Sequence, residues 1–469
     1  MKNARLVGGL AALAVLLMLL TAAPALATGL PLVSSTTYAT AANDGYTCVA
    51  TAGSGVVYAA GHAKKNGSGS VSRLLLVKYL DDGSTLSRAW HRLAGGRRPM
   101  SAVKLAVDAS GNVIVAGNRG STTAFHGNGS DIVVLKFSTG GDLLWSSSYD
   151  GPAHGLDYVK ALALDGQGNA IVCGASFGGR TGRDYVTLKV SADGRRAWAR
   201  RYAGPSDFDE ARDVTVDAAG NVYVTGQSRA KAAVPNVSGP PRAVTISYSP
   251  AGRQRWLRRD LRGFMTTGST VDYCGVKGAR GVLFSGARSW TRSGGAILYI
   301  QKLETDGRVD WGWNFDPGPH NGYWPVAAAL DGGGAPVVAG TLDSEGGVKA
   351  FLTGVSATGE EHWGSAFSSA FTNPPRAEFA SVAAGEDGRI LAAGLTASGD
   401  MAEMGGLPTT FLVRYSPGSP ADAPLDYVGE GTATTHDACS AVAIGDRGMY
   451  AVGHAAEGDG DSDAVLLKF

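Results

Sequence analysis

Few stretches of the 469-residue chain carry residue types at spacings that chemistry requires. Gly174-Ala-Ser176-Phe-Gly178 fits G-x-S-x-G. That serine attacks carbonyls only from a sharp strand-to-helix elbow. Here the flanking residues read as a strand entering a glycine-rich loop, so no catalytic residue is assigned. Asp459-Gly-Asp461-Ser-Asp463 sets carboxylates at alternate positions, the opening of a calcium loop. Ala464 replaces the glycine such loops need, and the chain ends before a closing glutamate. The readings are a loose Ca²⁺ site on Asp459, Asp461 and Asp463, or a solvated acidic loop. No other cofactor is expected.

Asp44, Asp157, Asp209 and Asp437 each directly precede an apolar run, and Glu378 lies one residue from that register. Gathered together they could hold a cation or a basic ligand; singly, each could cap its own turn. Arg195, Arg196, Arg200 and Arg201, with Arg253, Arg255, Arg258 and Arg259, flank Trp198 and Trp256. Charges on outer strands discourage edge pairing; the alternative is a patch for an anionic glycan or a phospholipid surface. Asn66, Asn128 and Asn236 open N-x-[ST] sequons, candidate glycosylation sites. Cys48, Cys173, Cys274 and Cys439 show no metal spacing and read as small buried hydrophobes, with a Cys48–Cys439 disulfide as the alternative.

The elements that would carry these residues are strands. From Asp157 to Tyr202 the chain runs through four short period-two segments separated by Asp, Gly and Asn turns, an antiparallel meander. The glycine closing its second segment, Gly174, recurs as Gly61, Gly117, Gly226, Gly286, Gly340, Gly394 and Gly453. Repeated four-stranded units of about this length predict a β-propeller, here of eight blades. First strands line the axis of such a ring, so the repeated acids are expected at a mouth of its channel. Trp145, Trp198, Trp256, Trp311 and Trp363 fall at one register of the outer segment and read as wedges between blades, with Trp90 three residues out of step. The last copy ends after its third segment, and Leu32–Tyr38 resembles a fourth, so the N-terminal strand is expected to complete the last blade.

Composition agrees. Charged residues are 18% against about 25% for an average globular protein, and 68 glycines suit many tight turns. A net charge of +1 gives no reason to expect nucleic acid. Residues 1–27 read as a signal peptide: Lys2 and Arg5, an apolar run from Leu6 to Leu20, and Ala25-Leu26-Ala27 before Thr28. Residues 28–469 then form a single propeller domain with no membrane span after cleavage.

AVDASGNVIVAG (106–117), TVDAAGNVYVTG (215–226) and the third-segment starts at Asp131, Asp184 and Asp463 resemble the SBBP β-propeller repeat family of bacteria and archaea. The resemblance spans nearly all of the mature chain, closest in the second to fourth copies and loosest in the fifth to seventh. It implies a secreted or cell-surface propeller, with no single activity and no catalytic residue. The expected function is an exported, non-catalytic, monomeric scaffold that binds a protein or glycan partner through its loop face or axial channel. The alternative is an extracellular enzyme with an axial site. The paired DG-x-x-x-W segments also resemble quinoprotein dehydrogenases, whose adjacent cysteine pair is missing here, and a polysaccharide-active enzyme would need two convergent carboxylates.

Overall fold

The computed structural model describes residues 32–40, 43–64, 71–120, 129–205, 207–229, 241–259, 276–279, 282–290, 296–318, 321–344, 347–360, 362–367, 377–396, 409–415, 426–428, 438–456 and 462–469. These residues form strands throughout, with one short 3-10 turn at Gly179–Thr181. The strands are grouped in antiparallel meanders at 45–94, 100–149, 157–202, 209–259, 276–315, 322–367 and 377–428, and at 438–468 with Ser34–Tyr38 added. The first, inner strands pack on one another in ring order. They are Gly45–Thr51, Met100–Val107, Asp157–Leu164, Asp209–Val216, Val276–Ala279, Gly322–Leu330, Ala377–Ala384 and Ala438–Ile444, and the last returns to the first. Apolar clusters fill the spaces between neighbouring meanders; one, for example, joins Val133 and Leu135 to Leu74 and Leu76. Alternation explains this: each strand gives one set of side chains to each neighbouring sheet.

Hydrogen bonding divides the strands into seven sheets, six of four strands and one of eight. The expected eight separate blades are therefore corrected. Ala296 pairs in parallel with Gly322, and the Ala296 N–H donates to the Asn321 carbonyl at 2.8 Å, which merges meanders 276–315 and 322–367 into one sheet. The contact has a general cause. The start of a third strand touches the chain entering the next inner strand, and isolated parallel bridges Ser130↔Leu156 and Arg183↔Phe208 mark the same place elsewhere.

The recurring glycine has a steric origin. Each inner strand from Gly45, Met100, Asp157, Asp209, Gly322, Ala377 and Ala438 carries a bulge next to it, as between Val159 and Ala161 opposite Gly174. The bulge drives an inner-strand carbonyl into the space a side chain would need. A Cβ on Gly174 would lie 1.9 Å from the Tyr158 oxygen, and one on Gly226 would lie 2.0 Å from the Glu210 oxygen.

Turns and tryptophans lock the units. Asp165 Oδ1 accepts the Gln167 and Asn169 N–H groups, each at 3.0 Å, and Lys189 Nζ stands 2.8 Å from Oδ2. Asp108 repeats this with Ser110, Asn112 and Lys136. The tryptophan wedges hold: the Trp145 indole N–H donates to the Ala192 carbonyl at 2.9 Å, and Trp198 does the same to Pro250 at 3.0 Å, each in the outer turn of the next meander. Those turns need glycine, because a Cβ on Gly194 (φ +90°) would meet the Trp145 ring at 2.7 Å. Trp90 is in step after all. It pairs with Lys78 as Trp145 pairs with Lys136, and the extra residues lie in the hairpin loop before it.

The N-terminal strand completes the last sheet. Ser34–Tyr38 pairs antiparallel with Ala464–Lys468. The seam against the first meander is polar and buried. Lys468 Nζ lies 2.5 Å from Asp81 Oδ1 and donates to the Gly83 carbonyl at 2.7 Å, while the Tyr450 hydroxyl donates to Asp81 Oδ2 at 2.5 Å.

Candidate functional site

Three of the repeated acids, Asp44, Asp157 and Asp209, are caps. Asp44 accepts the Thr40 N–H at 2.6 Å and the Lys64 N–H at 3.1 Å; Asp157 accepts Gly151 N–H at 2.5 Å; Asp209 accepts Gly204 N–H at 2.6 Å. All three are 0% exposed, so they do not ring the channel mouth, which corrects the expected placement. Their loops close down on them: a Cβ on Gly204 would lie 2.4 Å from Asp209 Oδ1. Burial, only partly offset by the Ser228 and Gly204 hydrogen bonds, pushes the Asp209 carboxyl up to about 6. Burial also raises Asp44 and Asp157. Glu378 is partly exposed on its inner strand, and Asp437 lies outside the described residues.

Ser176 of the G-x-S-x-G stretch is buried and pairs across from Asp157. Its hydroxyl accepts a hydrogen bond from Arg201, whose guanidinium also lies 2.5 Å from Asp184 Oδ2. This is a polar lock at the start of the third strand. The flanking arginines are largely interlocks too: Arg200 Nε donates to the Gly252 carbonyl at 2.6 Å, and Arg259 Nε to the Tyr202 hydroxyl at 3.2 Å.

Cys48 and Cys439 are free thiols, which corrects the disulfide alternative. Cys48 faces the second meander in the cluster with Met100 and Val115, and Cys439 faces the seventh with Leu391 and Ala393, so they point away from each other. Burial pushes Cys48 up to about 11 and Cys439 up to about 12, leaving both protonated. Asp463 lies in strand Ser462–Lys468, paired with Ala455, rather than in a loop. Asp459, Asp461, Asn66, Asn128 and Asn236 lie outside the described residues. Among the described residues no group of acids, histidines or cysteines is arranged to hold a metal, and no helix is long and apolar enough to cross a membrane.

The site that residue spacing did not reveal lies between the third and fourth inner strands. Glu210 is nearly buried, with its side chain 4% exposed. The Tyr158 hydroxyl donates to Oε2 at 2.8 Å, and Arg183 Nη1 does so at 3.1 Å. Arg212 Nε lies 2.8 Å and Lys160 Nζ 3.4 Å from Oε1. Arg183 is held over Tyr158 at 5.3 Å and over Phe208 at 4.6 Å, and Arg229 covers Phe208 at 4.7 Å. The bulge explains the placement, since Lys160 and Arg212 are the bulged residues of their strands. Only the shared rhythm of Asp157-Tyr-Val-Lys160 and Asp209-Glu-Ala-Arg212 foreshadows it.

Burial opposes ionisation of Glu210, but Arg212, Lys160, Tyr158 and Arg183 outweigh it and hold the carboxyl below its ordinary value. Burial and the adjacent Glu210 push the Tyr158 phenol well up. Near neutral pH, Glu210 stays ionised and Tyr158 stays a proton-bearing donor. The arrangement holds charge in place. Its cations remain partly open, with side-chain exposures of 36% for Lys160, 35% for Arg183 and 28% for Arg212.

Residues 197–230 match the family model of the SBBP β-propeller repeat, running from the outer strand of one meander through the second strand of the next. No curated protein matches the chain. Among solved structures it is similar to the polysaccharide lyase Uly1, with 11% identity, a TM-score of 0.47, and coverage of 78% of this chain and 89% of that one. It is also similar to the β-propeller domain of the Trilobed protease from Pyrococcus furiosus, described as having an open velcro topology. There the identity is 11% and the TM-score 0.43, over 79% of this chain and 94% of that one. A protein of unknown function from Dyadobacter fermentans matches at 10% identity and a TM-score of 0.40, over 78% and 93%. At such identities the likeness is one of fold.

Proposed function

We propose that the chain is an exported, non-catalytic propeller scaffold of eight repeated meanders, monomeric, that binds a protein or glycan partner at the end of the ring around Glu210. One observation carries this reading. On inner strands Met100–Val107, Asp157–Leu164 and Asp209–Val216 every carboxylate is buried, whereas Lys104, Lys160 and Arg212 are all at least partly exposed. A frame interlocked by tryptophan wedges and capped turns presents those cations with little freedom left to lose, which favours binding. The fixed protonation states of Glu210 and Tyr158 favour recognition over acid–base turnover. Export rests on the Lys2–Ala27 pattern.

The test begins with the full-length gene. The protein is recovered from the culture fluid or cell surface, its N-terminus is sequenced, and it is offered immobilised glycans and exterior proteins, with polysaccharide turnover followed in parallel. A start at Thr28 and saturable binding without turnover are expected. Retention in the cytoplasm, or depolymerisation of a glycan, would overturn the reading.

A further inference from the structure

We infer that the end of the ring around Glu210 is a site for an acidic polysaccharide, held by its carboxylate or sulfate groups. The inference rests on the binding reading above and names the partner's chemistry. Lys160 and Arg183, two cations, both approach the one Glu210 carboxylate, and their side chains stay accessible at 36% and 35% exposure. Arg183 presents a guanidinium fork braced by Tyr158 and Phe208, a geometry suited to planar or tetrahedral oxyanions.

An apolar surface adjoins the cations. Phe177 is the cross-strand partner of Arg183 and is 43% exposed; the Phe177 N–H donates to the carbonyl of Leu156, which is 58% exposed. Gly155 keeps the ring in place, because a Cβ there would lie 2.8 Å from Phe177. An exposed ring beside a guanidinium matches a sugar that offers a C–H face and a negative group together. The whole chain is nearly neutral at +1, which gives no reason to expect nucleic acid in their place.

The protein secreted from the full-length gene is titrated with polygalacturonate, heparin, neutral dextran and anionic phospholipid vesicles. Binding to at least one acidic polysaccharide is expected, falling as salt rises, with dextran and vesicles not bound. Lys160→Gln and Phe177→Ala should each weaken it about tenfold, the loss of one charge-assisted or stacking contact. Both side chains are partly open, so these variants keep their melting transition even if Arg183→Gln does not fold. Arg195→Gln, on an exposed outer turn, should bind as the parent does. Equal binding of dextran, binding to vesicles alone, or acidic-glycan binding unchanged in both variants overturns the inference. If the protein binds a protein or neutral glycan instead, the scaffold reading survives and this inference falls. If it binds nothing and cleaves a polysaccharide, both fall.

Discussion

Replacing Lys468 with methionine probes the seam between the last sheet and the first meander. The substitution removes an ammonium whose side chain is 2% exposed and leaves Asp81, 0% exposed, without its ion-pair partner. Breaking one side of a buried pair costs about 3–5 kcal/mol. Asp81 keeps the Tyr450 hydroxyl and the Gly83 N–H, so the expected loss is at the lower end, about 3 kcal/mol. Removing both charges in Asp81→Asn with Lys468→Met should recover most of that loss, because no lone charge then stays buried. Burial opposes ionisation of Asp81, but Lys468, Tyr450 and Gly83 hold its carboxyl below the ordinary value. Its contribution is therefore present above the unfolded-state value, about 4, and fades as pH falls through the lower folded value. The gap between parent and Lys468→Met should narrow in acid. Urea titrations followed by tryptophan fluorescence at pH 7 and pH 3.5 measure this, with Lys189→Met as a slightly more exposed pair inside one meander for comparison. A loss under about 1 kcal/mol, or a double variant no better than the single, would refute the reasoning.

Gly174→Ala should destabilise by about 3 kcal/mol, since its methyl would collide with the Tyr158 carbonyl, whereas Gly168→Ala, with nothing within 4 Å but φ +75°, should cost about 1 kcal/mol in the same titration. Asp209 is raised to about 6 by burial, so its contribution is fully present below the unfolded value and lost as pH rises through 6. Asp209→Asn should therefore add about 2 kcal/mol at pH 8 and almost nothing at pH 4, and a gain that is equal at both would show that the carboxyl is not the source. Alkylation of the denatured, unreduced protein should label both Cys48 and Cys439; a linked peptide containing both would contradict their burial in separate clusters.

Local patterns read true where the cause was local. The Asp–Gly–Asn turns, the recurring glycine and the tryptophan register were all visible, because a hairpin writes its requirements into a few consecutive residues. The pairing of Ser34–Tyr38 with the last strand was also readable, as one missing segment and one spare. What failed depended on depth or on distant partners. Asp157 and Asp209 occupy the right register, but their caps draw them inward and leave Lys160 and Arg212 as the accessible charges. Trp90 was misplaced because a longer loop hid an unchanged pairing. The single pair Ala296↔Gly322, which reduces the sheet count, has no signature in either residue. Lys468 and Asp81 stand 387 positions apart, and no spacing rule reaches that far.

The pairing of the first strand with the last also orders events during synthesis. Ser34–Tyr38 is made more than 400 residues before Ala464–Lys468, its partner. At ~5–20 residues per second the edge waits on the order of half a minute or more for its mate. Through that interval a nascent chain carries an uncovered strand and a half-built sheet, a stage at which a chaperone or a slow translocation step would protect it from joining another copy.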